Sequence, residues 1–262
     1  MSATEFDPAI CTRLLGSEAD RFHLIALPEC DSTNTRLMQM AEQGAASGIV
    51  VVAERQTAGR GRRDRVWIST PGDSLVFWLL WRFAPATRAP EALSLAIGLG
   101  LQRALKSLDA DVEVKWPNDI LHQGKKLAGV LIEVQPADIK TAIIGIGINL
   151  RLPRDMPEDI AMAATALQRM LASVPHREQL LATLLAHLSA ALHRYEAEGF
   201  AGLRDEWQAV QAFRGDEVRI TGGGADIVGI CRGVNERGEL LLSTDNGLRT
   251  VMTGDVSLRR TA

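Results

Sequence analysis

Gly59-Arg60-Gly61-Arg62-Arg63-Asp64-Arg65 sits between two apolar runs, Ile49 to Ala53 before it and Leu75 to Phe83 after it. Both runs read as buried strands, so the glycine-arginine segment is a loop between two strands. Arginine brings planar, permanently charged donors that match carboxylate and phosphate oxygens, and glycine lets backbone N–H groups come close to an anion. The loop is therefore suited to surround anions. By itself it leaves three readings open: a solvated basic turn, a nonspecific nucleic-acid patch, or a small-molecule site.

The whole chain narrows these. Its 262 residues, 46% hydrophobic and 23% charged, suffice for one large core and a small satellite. The formal charge of −3 makes the basic loop a local feature on a mildly acidic body, which weakens the nucleic-acid reading. Cys11, Cys30 and Cys231 show no CxxC spacing and no even count, so a disulfide framework or zinc site is not expected and a reducing cytoplasm is. No apolar run reaches the ~18 residues of a membrane span, and no secretory h-region is visible near the start.

Upstream of the loop, Leu24 to Leu27 reads as a short strand ended by Pro28. Asp31-Ser32-Thr33-Asn34 then precedes a helical pattern through Leu37, Met38 and Ala41, closed by Gly44. That quartet starts a helix, and such a terminus can also hold a polar head group. Gln56 ends the strand before the loop and can orient a ligand there. Downstream, Trp67 is either a stacking surface for a planar base or simply core. Glu91 to Leu108 shows a helical apolar period, with Gly98 and Gly100 pointing to close packing. Val112 to Trp116 is a strand that runs into Pro117-Asn118-Asp119. A turn at Gln123-Gly124 leads to a strand from Lys126 to Val134 and another from Thr141 to Leu150, which contains Gly145 and Gly147. Glycines inside a strand mark a close approach to the backbone.

From Glu158 to Gln211 the pattern is helical. His187 and His193 lie there without metal-ligand spacing, and these two, like His23, His122 and His176, read as ordinary solvated or satisfied side chains. Beyond Phe213-Arg214-Gly215 the texture changes to short strands with turns at Gly222-Gly223-Gly224, Glu236-Arg237-Gly238 and Asp245-Asn246-Gly247. The expected fold is α+β, a mixed sheet packed with helices over residues 1–213, followed by a small SH3-like β-barrel over 214–262.

The sequence lacks GxxxxGK[ST], GxSxG, HExxH and paired cysteines, and the Gly145/Gly147 pair lies within a strand rather than at a Rossmann turn. What remains is an anion-gripping loop, the Lys115-Trp116-Pro117-Asn118-Asp119 turn, Lys126 at a strand start and Asn149 at a strand end. That set suits a phosphate-bearing cofactor and a carboxylate held together.

In order and approximate spacing, Asp31-Ser32-Thr33-Asn34, Gly59-Arg60-Gly61-Arg62-Arg63, Lys115-Trp116-Pro117-Asn118-Asp119, Lys126-Leu127-Ala128-Gly129 and Gly145-Ile146-Gly147-Ile148-Asn149 resemble biotin protein ligases. Ser257-Leu258-Arg259 resembles the family's closing segment. Two features depart from the best-known bacterial pattern: Asp64 replaces a glycine, and about twenty residues before the first strand are too few for a helix-turn-helix module. The resemblance implies a catalytic domain like that of class II aminoacyl-tRNA synthetases, in a short form without specific DNA binding or membrane association, monomeric or homodimeric, in the cytoplasm.

It also implies a two-step reaction. The biotin carboxylate attacks the α-phosphate of Mg-ATP, giving biotinyl-5′-adenylate and pyrophosphate, and a lysine of a biotin carboxyl carrier protein domain, from acetyl-CoA carboxylase or a related carboxylase, then attacks the mixed anhydride. By resemblance, Ser32, Thr33, Asn34 and Gln56 hold the ureido ring. Gly59, Arg60, Gly61 and Arg62 wrap the carboxylate and phosphate, with Lys126 and Gly129 on the carboxylate side. Arg65, Trp67, Lys115, Asn118, Asn149 and Arg259 serve the nucleotide and its Mg2+, for which no dedicated side-chain ligand set is assigned. Arg62, Lys126 and Asp119 are the expected catalytic residues, Asp119 as the acceptor that orients the incoming amine or takes its proton. A ligase using lipoate or octanoate on a related fold is the alternative, and a nucleic-acid-binding module is the alternative of another class.

Overall fold

The computed structural model describes residues 5–30, 33–57, 59, 67, 70–84, 90–135, 138–153, 156–222, 226–252 and 257–261, with the side chains of Thr33, Asn34 and Ser257 excepted. A seven-stranded mixed sheet forms the body. Its strands are β1 (His23–Cys30), β2 (Ile49–Gln56), β3 (Ser74–Arg82), β4 (Glu113–Lys115), β5 (Asp119–His122), β6 (Lys125–Gln135) and β7 (Asp138–Asn149). Their order across the sheet is β1-β2-β3-β7-β6-β5-β4. Only β1 and β2 run parallel, joined through the helix α2 (Thr33–Glu42). Strand β1 does not end at Pro28 as the sequence suggests. It continues to Cys30 because it is an edge strand, and an edge tolerates a proline whose missing N–H belongs on the open side.

Alternation along the strands divides the side chains between two faces. Val50, Val52, Phe77, Leu79, Val130, Ile144, Ile146 and Ile148 join the main core on one face, covered by α3 (Leu93–Lys106) and α5 (Arg177–Glu198). The expected helix at Glu91–Leu108 is thus shorter by two residues at each end, and its glycines do permit close approach. A Cβ on Gly98 would lie 2.8 Å from Val114 Cγ1, and one on Gly100 would lie 3.1 Å from the Ala191 Cβ of α5. On the other face α2 sets Leu37 and Ala41 over Ile49, Val51, Trp78, Leu80 and Ile143. This second helical cover is short, and it leaves the rest of that face for the site.

Three elements were not legible from the sequence pattern. Helix α1 (Pro8–Leu15) is capped by Asp7, whose Oδ1 accepts from Ala9 N at 2.8 Å. Strand β5 forms a hairpin with β6, turned at Gln123 and Gly124, both at positive φ (49° and 75°). The helical stretch after Glu158 is three helices, α4 (Glu158–Ala163), α5 and α6 (Arg204–Ala209), rather than one pattern.

The C-terminal strands β8 (Glu217–Thr221), β9 (Ile227–Val234), β10 (Leu240–Thr244), β11 (Gly247–Val251) and β12 (Ser257–Arg260) make an antiparallel sheet in the order β11-β10-β9-β8-β12. The small C-terminal β module expected from the sequence is thus present, and among the described residues its pairing is that of an antiparallel sheet with β11 and β12 at its edges, where an SH3-like barrel was expected. It docks on the body where Trp116 Nε1 donates to Gly238 O at 3.0 Å. Gly238 has φ 73°, and a side chain there would run into Ala92 and Leu95 at the start of α3, so the turn glycine also sets the approach of the two units.

Candidate functional site

Beyond the residues packed under α2, the same sheet face presents bare backbone on β6 and β7. Gly129 of β6 pairs with Gly147 of β7, and Asp119 of β5 pairs with Gly129, so the three stand in one row across the sheet. Trp67 fills the space over Gly147: a Cβ there would lie 2.5 Å from the indole Cε2. The Trp67 backbone N–H donates to Gly59 O at 3.2 Å, which ties the two ends of the arginine-rich loop together. Gly59 packs in turn on the Trp67 carbonyl and within reach of Gln56 Oε1. The Trp67 indole N–H is buried and has no hydrogen-bond partner among the described residues. The ring packs on the sheet, beside Lys126.

Lys126 enters from the β6 start, with Nζ 2.6 Å from Asp119 Oδ1 and 5.8 Å from the centroid of the Trp67 ring. Lys115 Nζ lies 3.3 Å from Asp119 Oδ2. One carboxylate therefore stands between two ammonium groups, and only Lys126, whose side chain is 39% exposed against 18% for Lys115, reaches well into the open. Burial pushes the Asp119 carboxyl up, but Lys126 and Lys115 outweigh it and hold the group below its ordinary value. Burial holds Lys115 below its ordinary range, against the pull of Asp119 and with the added repulsion of Lys126 and Arg259. Arg259, on β12, is therefore near enough to act on this cluster from the C-terminal module.

The Lys115-Trp116-Pro117-Asn118-Asp119 turn is fixed on several sides. Its Trp116–Pro117 peptide is cis. Asn118 Nδ2 donates to Val130 O at 2.6 Å, and Val130 N returns a bond to Asn118 O at 2.9 Å. Asn149 at the end of β7 is buried, with Nδ2 donating to Thr165 O at 3.0 Å. Thr165 N donates to Lys126 O at 2.8 Å. The Ala164–Thr165 segment thus sets both Lys126 and Asn149, a role with no sequence signal because the segment lies in a generally helical stretch.

Of the expected site residues, the structure brings together Gln56, Gly59, Trp67, Lys115, Asn118, Asp119, Lys126, Gly129 and Asn149, with Arg259 nearby. Thr33 and Asn34 occupy the first turn of α2. Ser32, Arg60, Gly61, Arg62 and Arg65 lie outside the described residues. Among the described residues no three His, Cys, Asp or Glu side chains gather to hold a metal ion.

Comparison with known proteins places both parts of the chain. Residues 27–149 match the Biotin/lipoate A/B protein ligase family, and residues 214–259 match the Biotin protein ligase C terminal domain. The bifunctional ligase/repressor BirA of Escherichia coli K12 is 37% identical over 250 residues, covering 94% of this chain and 77% of that protein. The chain belongs to the biotin protein ligase family. A second family member, the biotin–[acetyl-CoA-carboxylase] ligase of Mycobacterium tuberculosis, is 32% identical over 93% of this chain and 92% of its own length. The solved structure of biotin protein ligase from Aquifex aeolicus in complex with biotin and ATP superposes with a TM-score of 0.79 at 33% identity, covering 91% of this chain and 99% of that one. The family resemblance therefore extends through both the sheet that carries Lys126 and Asp119 and the C-terminal module. No helix among the described residues is long and apolar enough to cross a membrane.

Proposed function

We infer that this chain is an ATP-dependent ligase that activates biotin as biotinyl-5′-AMP and transfers the biotinyl group to a lysine of a biotin carboxyl carrier protein domain. The observation that carries the reading is the Lys115–Asp119–Lys126 cluster beside the bare Gly129 and Gly147 backbone, in a chain similar over nearly its full length to a ligase solved with biotin and ATP.

In the first step a biotin carboxylate oxygen forms the bond to the α-phosphorus and pyrophosphate leaves. Negative charge accumulates at the transferred phosphoryl group, and Lys126 opposes it, with Arg60 and Arg62 of the loop. Ser32, Thr33, Asn34 and Gln56 orient the ureido ring; Arg65, Trp67, Lys115, Asn118, Asn149 and Arg259 hold the nucleotide. Mg2+ enters with the ATP phosphates as part of the substrate, which suits a site whose described residues offer no acidic cluster and whose Asn149 amide has its nitrogen committed to Thr165, leaving the oxygen side to a ligand. In the second step the carrier lysine amine attacks the acyl carbonyl and AMP leaves. A carboxylate held below its ordinary pKa is a weak base, so Asp119 acts by accepting a hydrogen bond from the amine and aiming it.

The substrate-binding and catalytic body spans residues 1–213 and the C-terminal module 214–262. The carrier is the domain of acetyl-CoA carboxylase or a related carboxylase, and the reaction is cytoplasmic. The test is Mg-ATP-dependent pyrophosphate release and carrier labelling with biotin and, separately, with lipoate. Biotin alone should drive both, and release driven by lipoate and not by biotin overturns the assignment.

A further inference from the structure

Helix α2 carries Thr33 and Asn34 in its first turn, yet its anchorage lies towards the other end. Among its described side chains the buried apolar ones are Leu37 and Ala41, with Met38 and Met40 half-buried beside them. Arg36, one residue before this seat, is exposed. A helix of 10 residues is marginal by itself and keeps its place through tertiary contacts. Two buried side chains make a small seat, so the position of the helix along its own axis depends on what else holds it.

Arg82, the last residue of β3, supplies that hold. Its Nε donates to Ala45 O at 2.9 Å and its Nη2 to Ala41 O at 2.8 Å, so one guanidinium spans the last turn of α2 and the chain that leaves it. The last carbonyls of a helix lack partners within it, and a cation there also meets the negative end of the helix dipole. The remaining nitrogen, Nη1, donates to Thr141 Oγ1 at 2.7 Å and lies 3.3 Å from Asp138 Oδ2, and the Thr141 hydroxyl donates to Asp138 in turn. Thr141 is fully buried on β7 and is the cross-strand partner of Arg82, so the sheet aims the guanidinium at the helix. The α2–β2 connection closes onto the same strand end, where Arg82 N donates to Ser47 Oγ at 3.0 Å and Gly48 N to Leu80 O at 2.8 Å.

We propose that Arg82 is a positioning residue for biotin: by gripping the C-terminal carbonyls of α2 it sets where the helix stands along its axis, and with it the placement of Thr33 and Asn34 at the far end. This rests on the biotin ligase reading, which puts the ureido ring at those residues, and adds to it the group that fixes their position. A helix of this length is a stiff rod of about 15 Å, so a slide at one end reappears at the other. Misplacing a substrate-orienting group by about 1 Å costs on the order of 10²-fold. The nucleotide residues Lys115, Asn118 and Asn149 stand on β4, on β7 and in the turn before β5, apart from α2, so the effect should fall on biotin and spare ATP.

The experiment measures biotin Kd by calorimetry, and KM for biotin and for ATP by pyrophosphate release, in the native chain, Arg82→Gln, Arg82→Lys and Thr141→Val, with thermal unfolding followed in parallel. Arg82→Gln should raise the Kd and KM for biotin about tenfold or more, with the ATP KM and the kcat at saturating biotin kept at native values. Arg82→Lys, which keeps the charge at the helix end but not the fork, should lie between the native chain and Arg82→Gln. Thr141→Val removes only the hydroxyl that aims the guanidinium; it should act in the same direction by a smaller factor, and add little when combined with Arg82→Gln. If Arg82→Gln does not fold, Thr141→Val and Arg82→Lys decide the matter. A fork that merely stabilises the fold would lower the unfolding temperature and leave biotin affinity at the native value in a folded variant, and that result overturns the proposal, as does a loss equal for biotin and ATP. A native chain that does not bind biotin at all is a different outcome, which removes the ligase reading and the proposal with it.

Discussion

Replacing Asp119 with asparagine removes the negative charge between Lys126 and Lys115 and leaves their two ammonium groups facing a neutral amide. A hydrogen bond to a charged group contributes about 1.5–3 kcal/mol, so the two bonds to the carboxylate together are worth about 3–6 kcal/mol. Part of this is recovered, because Lys126 is 39% exposed and turns into water, and the amide oxygen still accepts one bond. Lys115 is largely buried and keeps its desolvation cost, so the expected net loss of stability at neutral pH is about 2–3 kcal/mol.

The pH dependence supplies the sign. The native Asp119 carboxyl is held below its ordinary 3.8, so its contribution is present above that pH and disappears as pH falls through the folded value. Lys115 is held below its ordinary 10.5 by burial first, and Asp119 is the partner that pulls it back up. Without Asp119 the depression deepens. The folded state then binds fewer protons than the unfolded one between the folded Lys115 value and 10.5, so the variant gains stability as pH rises across that window. Urea unfolding of both proteins from acid to alkaline pH should show the gap widest around neutrality and closing at both ends. A loss under about 0.5 kcal/mol, the size of an ordinary surface substitution, or a gap flat in pH refutes the reasoning. In single-turnover assays the variant should also form the adenylate better than it transfers the biotinyl group, as expected for a residue that aims the incoming amine.

Three further outcomes are expected. Lys126→Ala should slow adenylate formation by about 10²–10³ while weakening biotin binding much less, as calorimetry beside single-turnover adenylation would show. Arg62→Gly should still make biotinyl-adenylate but release it, which a faster adenylate off-rate and biotin labelling of albumin in the same tube would report; labelling confined to the carrier would sink that idea. Glu54→Gln should cost about 3–5 kcal/mol of stability without changing kcat, since Glu54 makes a two-pronged, nearly buried ion pair with Arg177 of α5 at 2.5 and 2.7 Å and also accepts from Phe6 N, far from the open face.

Much of the architecture was legible because it is local. Apolar alternation and helical period gave the strands around the arginine-rich loop, the helix near Leu93 and the change of texture after Arg214, and five blocks in order pointed to the family. The short β5 strand and α1 escaped because four- and eight-residue elements carry too little periodicity to stand out. Proline at position 28 misled because edge status is a property of the sheet, not of the segment. Residue chemistry singled out Lys126, Asp119 and Lys115, yet only the tertiary structure decided that one carboxylate lies between both lysines, because the pairing depends on the β4–β5 and β5–β6 registers. Sequence likewise marked Gly145 and Gly147 as close approaches without saying what approaches them. Trp78 and Trp67 do so from other segments, and a contact between a glycine's bare backbone and a distant indole exists only once the strands are laid side by side.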